Sequence, residues 1–247
     1  MKTYGLLGKE LSHSFSKQYF SDKFERGNID AVYEKFSLKG ISLFPQFLTE
    51  HPEICGLSVT IPYKKSVIYF LDELDFEAEA VGAVNVVKFE KRNQYTYLKG
   101  YNTDIYGFEY SLKPLLRTDV SNALILGTGG AALAVAYVLK KLGIAYTFVS
   151  RNPSEGMFNY SEITKEICED VQLIINASPV GTSGTLYQPE SLFPTAFITK
   201  NHICYDLVYN PEKTHFLQEA EQKGAVIKNG HEMLVLQAEK AWEIWNS

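Results

Sequence analysis

Gly127, Gly129 and Gly130, with Thr128 between the first two, directly follow the apolar run 123–126 and directly precede residues 131–142, where apolar side chains recur at helical spacing. Glycines at such a turn suit a pyrophosphate. Gly127 allows the chain to turn tightly, Gly129 has no side chain to hold a phosphate away from the backbone, and Ala132 is small where helix must pack on strand. The free N–H groups of the helix start then face phosphate oxygens. A dinucleotide is the expected ligand, against the plainer reading of a tight turn that binds nothing. After the next apolar run, 146–149, the chain continues Ser150-Arg151. An acidic residue there would take the 2′-hydroxyl of NAD, whereas a guanidinium suits a 2′-phosphate, so NADP is expected over NAD. The plainer reading of Arg151 is an exposed loop residue.

Three more polar clusters lie nearer the amino end: Ser12, Ser14 and Ser16; Thr60 with Lys64; and Asn85 with Asn102 and Asp104. Each also has an ordinary explanation. Ser14 can be a helix N-cap, Lys64 beside Lys65 a solvated basic pair, and Asp104 a helix-starting acid. Spacing alone does not rank these readings.

The elements that must position these groups alternate between strand and helix. Residues 3–8 read as a strand and 14–26 as a helix with Phe15, Tyr19, Phe20 and Phe24 near one face. Residues 31–38 alternate as a strand, 43–49 are helical, and 56–61 form a strand stopped by Pro62. Residues 83–89 and 95–100 flank a charged Lys-Arg-Asn-Gln turn, which predicts a hairpin with one strand departing from an otherwise parallel sheet. A helix over 103–116 leads into the βαβ unit of 122–151, and strands follow at 171–176 and 202–207. Small or polar residues stand just past both strands, where open α/β sheets hold ligands. A helix over 212–223, a short strand over 225–228 and a last helix over 231–245 complete the chain.

With 247 residues and 45% hydrophobic content, one large or two small packed domains are expected. The net charge of −5 offers no basic field for nucleic acid, so a phosphate site must be local. Cys55, Cys168 and Cys204 are far apart and form neither a C-x-x-C pair nor a ligand spacing with histidine, which reads as reduced thiols in a cytoplasm and no metal site. No apolar run has the length of a secretory signal core or a membrane span.

Nine runs then resemble, in order and over nearly the whole chain, the successive motifs of the shikimate dehydrogenase family: GKELSHSFSKQYF, GLSVTIPYK, GAVNVV, GYNTDIYGF, GTGGAA, SR, NASPVGT, DLVYNP and NGHEMLVLQA. The resemblance implies a two-domain α/β protein. Residues 1–104 would be a mixed α/β substrate-binding and catalytic domain, onto which the helix 231–247 returns, and 105–230 a Rossmann-type NADP domain across a cleft. The implied reaction is reversible, NADP-dependent reduction of 3-dehydroshikimate to shikimate, on the chorismate route to aromatic amino acids. Carried over residue by residue, Lys64 and Asp104 match the catalytic pair. Ser14 and Ser16 would bind the substrate carboxylate, and Thr60, Asn85, Tyr209 and Gln237 would complete the substrate site. Gly127, Thr128, Gly129, Gly130 and Ala131 would hold the pyrophosphate, Ser150, Arg151 and Ser154 the 2′-phosphate, and Ala177, Val208, Gly230 and Met233 the nicotinamide region. The partner is a small molecule, with no nucleic acid and no membrane, and the protein would be a cytoplasmic monomer or homodimer.

The chain departs from the family pattern in places. The first motif, usually G-N-P-x-x-H-S-x-S-P, here lacks both prolines and the asparagine but keeps Ser14 and Ser16. Ser58, Thr128 and Thr182 stand where asparagine, alanine and methionine are usual. Proline would fix φ ahead of the helix, so its loss bears on the rigidity of that loop and not on its chemistry.

Overall fold

A computed structural model describes residues 1–11, 15–93, 95–183 and 193–247. Two compact units emerge, one of Met1–Thr103 with Gln237–Ser247, the other of Asp104–Leu236.

The first unit contains β1 (Lys2–Gly8), α1 (Phe15–Arg26), β2 (Ala31–Ser37), α2 (Phe44–Glu50), β3 (Ile54–Val59), β4 (Glu73–Leu74), α3 (Phe76–Val81), β5 (Val86–Arg92) and β6 (Tyr95–Tyr101). Its sheet runs β2-β1-β3-β5-β6-β4. β5 alone runs against its neighbours β3 and β6, while β1 pairs in parallel with β2 and β3, and β4 with β6. The hairpin and its departing strand are as expected, but the turn is tighter than the charged tetrad suggested. Lys91 and Arg92 stay in the ladder opposite Thr96 and Tyr95, and Asn93 takes the left-handed conformation at φ 57° that a short hairpin loop requires. Neither β4 nor α3 is foreseen by hydropathy, since both are shorter than the window over which a period shows. α3 is fixed locally: the Asp75 carboxylate caps it, accepting from the N–H groups of Glu77 and Ala78 at 3.1 Å.

Both faces of this sheet are covered. On one, α1 lays Phe20 and Phe24 against Tyr4, Tyr33 and the end of the last helix, α8 (His231–Asn246). Trp245 of α8 donates its indole N–H to the Val87 carbonyl at 3.1 Å, and its ring occupies the space where a side chain on Gly56 would stand. On the other face Phe44, Phe47, Leu57, Val67 and Ala78 form a separate apolar cluster.

The second unit begins inside α4 (Thr103–Leu112) and continues through β7 (Asn122–Leu126), α5 (Gly130–Lys141), β8 (Ala145–Ser150), β9 (Phe158–Asn159), α6 (Lys165–Glu169), β10 (Leu173–Asn176), β11 (Ile203–Asp206), α7 (His215–Gln222) and β12 (Val226–Lys228). Its sheet runs β12-β11-β10-β7-β8-β9, parallel throughout. That is the doubly wound order of a Rossmann-type domain, with its switch point between β7 and β10. The chain is thus a two-domain α/β protein.

Two helices are shorter than hydropathy predicted. α4 stops at Leu112 because Pro114 lies in the following short 3-10 turn, Lys113–Leu115. α7 starts at His215 and not near 212, because the Thr214 hydroxyl caps it by accepting the Leu217 N–H at 3.4 Å.

Candidate substrate and dinucleotide sites

In the first unit, side chains gather at one edge of the sheet through backbone ties. Past the end of β3, the Thr60 N–H donates to the Leu7 carbonyl and the Tyr63 N–H to the Thr60 carbonyl, each at 2.9 Å, turning the chain toward half-buried Lys64. The Lys64 carbonyl accepts the Val84 N–H at 2.8 Å, which draws Lys64 alongside Asn85. Asn85 itself is bonded by its main chain to Val59 at 2.7 Å and to Tyr101 at 3.0 Å. Because β5 runs against its neighbours, Asn85 at its start sits level with the carboxyl ends of β3 and β6.

The Asn85 side chain is 3% exposed, so its amide must be satisfied inside the protein. Its Oδ1 accepts the Thr103 N–H at 2.7 Å, and its Nδ2 donates to Thr103 Oγ1 at 3.0 Å and to Gln237 Oε1 at 3.4 Å. Thr103, absent from the residues singled out by sequence, therefore joins Asn85 on β5's leading segment to Gln237 on α8. Asp104, buried, is the next residue in α4's first turn. Ser16 is half-buried in the first turn of α1, and Ser14 lies outside the described residues. Tyr209 belongs to the second unit and is half-buried there.

The second unit arranges backbone. Gly127 has φ 108°, and a side chain on it would press within 3.2 Å of Ser178, so the loop after β10 approaches it closely. Gly129 caps α5 with no side-chain hydrogen bond, and a Cβ there would meet nothing within 4 Å. The space in front of the helix is open and its N–H groups point there, which fits a pyrophosphate. Gly130 and Ala131 begin the helix, Thr128 is exposed, and Ala132 is fully buried under it. After β8, the Ser150 hydroxyl accepts the Asn152 N–H at 3.2 Å, and the Arg151 carbonyl accepts Asn159 Nδ2 at 3.2 Å; the Arg151 and Ser154 side chains are exposed. This backbone hold on residue 151 leaves its guanidinium to the surface.

Ala177 and Val208 stand past adjacent strands β10 and β11, next to β7, and Gly230 follows β12. Backbone hydrogen bonds hold them in place. The Ala177 N–H donates to the Leu126 carbonyl at 3.0 Å, and the Gly230 N–H to the Val208 carbonyl at 3.2 Å. Gly230 must be glycine on steric grounds, since a Cβ would collide with the Leu207 carbonyl. Met233 is buried in the first turn of α8.

Beneath these loops lies a carboxylate that hydropathy reading passed over. Asp206 is 0% exposed at the end of β11. Its Oδ1 accepts Asn176 Nδ2 and the Val208 N–H, both at 2.9 Å, and its Oδ2 accepts the Thr214 hydroxyl at 2.6 Å. Asn176 in turn accepts the Ser178 hydroxyl at 2.7 Å and donates to the Val180 carbonyl at 3.0 Å. One buried carboxyl group thus pins the loops after β10 and β11 and the start of α7. Burial pushes Asp206 up to about 7, against the opposing pull of its three hydrogen bonds. The signal in the sequence was an aspartate closing the apolar run Ile203-Cys204-Tyr205.

No helix among the described residues is long and apolar enough to cross a membrane, and no group of three His, Cys, Asp or Glu there could hold a metal ion.

Comparison with known proteins adds to this geometry. Residues 6–87 match the family described as the shikimate dehydrogenase substrate binding domain. The NADP(+) shikimate dehydrogenase of Clostridium botulinum strain 657 is 34% identical over 99% of this chain and 96% of its own. The crystal structure of shikimate dehydrogenase from Aquifex aeolicus superposes with a TM-score of 0.87 at 32% identity, covering 99% of this chain and 92% of that one. The Thermus thermophilus enzyme, solved in complex with NADP(H) and shikimate, gives a TM-score of 0.84 at 29% identity over 99% and 93% of the two chains.

Proposed function

We propose that this chain, which belongs to the shikimate dehydrogenase family, catalyses the reversible, NADP-dependent reduction of 3-dehydroshikimate to shikimate. Full-length likeness to an NADP(+) shikimate dehydrogenase carries the reading. The open glycine turn at 127–130 and the polar cluster of Thr60, Lys64, Asn85 and Gln237 support it from the chain's own chemistry.

In this reading the first unit, 1–104 with the returning helix, is the substrate domain, and 105–230 holds NADP. The substrate's carboxylate is met by Ser14 and Ser16, and its ring hydroxyls by Thr60, Asn85, Gln237 and Tyr209. The Lys64 ammonium stabilises negative charge gathering on the substrate's carbonyl oxygen and donates the proton that completes the alcohol. Asp104 orients that ammonium and accepts a hydrogen bond from the neighbouring substrate hydroxyl. When bound, nicotinamide supplies the hydride, and the protein supplies position and electrostatics. Gly127, Thr128, Gly129, Gly130 and Ala131 hold the pyrophosphate, Ser150, Arg151 and Ser154 the 2′-phosphate, and Ala177, Val208, Gly230 and Met233 flank the nicotinamide. The protein acts in the cytoplasm as a monomer or homodimer on a small-molecule substrate.

The test is absorbance in the reduced-nicotinamide band, with shikimate and quinate each offered with NADP and NAD. Oxidation of shikimate with NADP alone is expected. Turnover of quinate or with NAD would move the specificity within the family, and silence in all four mixtures by folded protein would overturn the activity.

A further inference from the structure

The aromatic face of the first sheet contains two tyrosines whose surroundings differ in a way that packing does not explain. Tyr4 and Tyr33 pair directly across β1 and β2, are 0% and 1% exposed, and each buries a hydroxyl with no well-formed hydrogen bond. A buried hydroxyl without a well-formed hydrogen bond is costly, and phenylalanine would fill either place without that cost. Tyr4 lies beside the Cys55 thiol and among the rings of Phe24, Trp242 and Trp245. Tyr33 stacks on Phe20 with ring centroids 4.7 Å apart, and its hydroxyl faces those of Ser58 and Ser16.

The sheet register gives that cluster its direction. Tyr33 pairs with Tyr4, which pairs with Gly56, whereas Ser58 pairs with Leu6. Ser58 therefore lies on the same face as Tyr33 but two residues nearer the carboxyl ends of the parallel strands, the edge where Thr60 and Lys64 also stand. Tyr33 leans toward that edge. Ser16 comes to the same place from the first turn of α1, an element end suited to an anion. Three hydroxyls from α1, β2 and β3 thus converge, and Tyr33's has no well-aligned partner among the described residues. Hydroxyl donors of this kind are satisfied together by a carboxylate, which only accepts.

We infer that the Tyr33 hydroxyl is a substrate-binding group that donates, with Ser16 and Ser58, to the carboxylate of the ring acid and so sets its recognition. This rests on the reading of shikimate as substrate.

The experiment compares wild type, Tyr33→Phe and Tyr4→Phe in shikimate turnover and in calorimetric binding of shikimate and its methyl ester. Both variants keep the ring, so melting temperatures at or above wild type are expected to accompany the kinetic result. Tyr33→Phe is expected to raise KM and Kd for shikimate about 10- to 100-fold, as for loss of a hydrogen bond to a charged group. KM for NADP should stay unchanged, and the preference for acid over ester should shrink. Tyr4→Phe should match wild type throughout. Shikimate binding by Tyr33→Phe equal to wild type, or an equal loss in both variants, overturns the assignment of Tyr33 while leaving the activity intact. Wild type that neither turns over nor binds shikimate overturns the activity and this assignment together.

Discussion

At the strand ends of the first unit, Asn85, Thr103 and Gln237 are linked through neutral groups, whereas in the second unit the loops are tied to a single carboxyl group. Asn85, Thr103 and Gln237 join two amides to one hydroxyl, and their bonds run between 2.7 and 3.4 Å. Asp206 instead gathers three donors onto one carboxylate at 2.6 to 2.9 Å, with no exposure to water. The difference follows from what each end of sheet offers a ligand. In the proposed reading, recognition in the first unit belongs to side chains, so amides and hydroxyls that can both give and accept are held in place by one another. In the same reading, recognition in the second belongs to glycine backbone and loop position, and a carboxyl group is buried beneath the loops to fix them. Substitutions should therefore act differently in the two regions: on chemistry and substrate affinity in the first, on loop stability and cofactor affinity in the second.

The largest effect is expected at Lys64. Its replacement in Lys64→Ala removes both the proton donor and the positive charge in the proposed transition state, each worth about 10²- to 10⁴-fold in such sites. Steady-state assays should show kcat falling by at least about 100-fold with KM for NADPH nearly unchanged, since the charge acts chiefly in the transition state. An unchanged kcat would remove Lys64 from the chemistry and erase the contrast.

Asp206 comes next and reads out as stability. Asp206→Ala leaves three buried donors without their acceptor, a loss on the order of 3–5 kcal/mol in chemical denaturation. The wild-type pH dependence has a definite sign. Because burial raises the carboxyl from 3.8 to about 7, the folded protein retains a proton that the unfolded chain releases. This group's contribution to stability therefore declines as pH rises from about 4 to about 7 and is flat outside that window. Asp206→Asn keeps the Oδ1 acceptor, and the Thr214 hydroxyl can turn to accept from the new amide. Melting temperatures across pH 4 to 8 should show this downward component in wild type and its absence in Asp206→Asn. An identical pH profile in the two proteins would mean that the anion carries no such burden.

The same contrast explains what the amino-acid sequence discloses. The glycine turn is readable from elementary physics, because Gly127 and Ala132 are demanded by geometry, Gly129 leaves open space before the helix, and the flanking runs 123–126 and 131–142 show their periods plainly. Doubly wound strand order in the second unit follows from the alternation of strand and helix. Lys64, Asp104 and Asn85 are different: polar residues at element ends look like caps and solvated charges, and only their resemblance to a family's motifs singles them out. Thr103 and Asp206 escaped both routes. Their partners, Gln237 and Thr214, are remote in sequence or lie across a loop, so even where Asp206 visibly closes an apolar run, the run does not say which donors it will gather. α3 and β4 escaped because six and two residues are too few to display a period.

Arg151 tests the second region where it does use a side chain. Its backbone is fixed by Asn159 and its guanidinium is exposed, so Arg151→Ala should leave the fold intact. KM for NADP is expected to rise about 10- to 100-fold, as for the loss of a charge-assisted contact to phosphate, with KM for NAD little altered. Equal effects on the two cofactors would detach Arg151 from the 2′-phosphate.

The smallest effect is expected at Thr103, and it addresses whether the neutral network serves the ligand or only the fold. Thr103→Val keeps the shape and keeps the backbone N–H that donates to Asn85 at 2.7 Å, but removes the hydroxyl that accepts from Asn85 Nδ2 at 3.0 Å. Asn85 Nδ2 keeps its longer contact to Gln237, at 3.4 Å. The loss of one neutral hydrogen bond is worth about 1 kcal/mol, which corresponds to roughly a fivefold rise in KM for shikimate as the two amides lose their orientation. kcat and KM for NADP should hold, because Thr103 touches neither the reacting oxygen nor the glycine turn. Thr103→Ser, which restores the hydroxyl, should recover the wild-type KM. If Thr103→Val instead lowers only the melting temperature and leaves KM for shikimate alone, the amides are structural, and the first unit's network resembles the second's in purpose as well as in position.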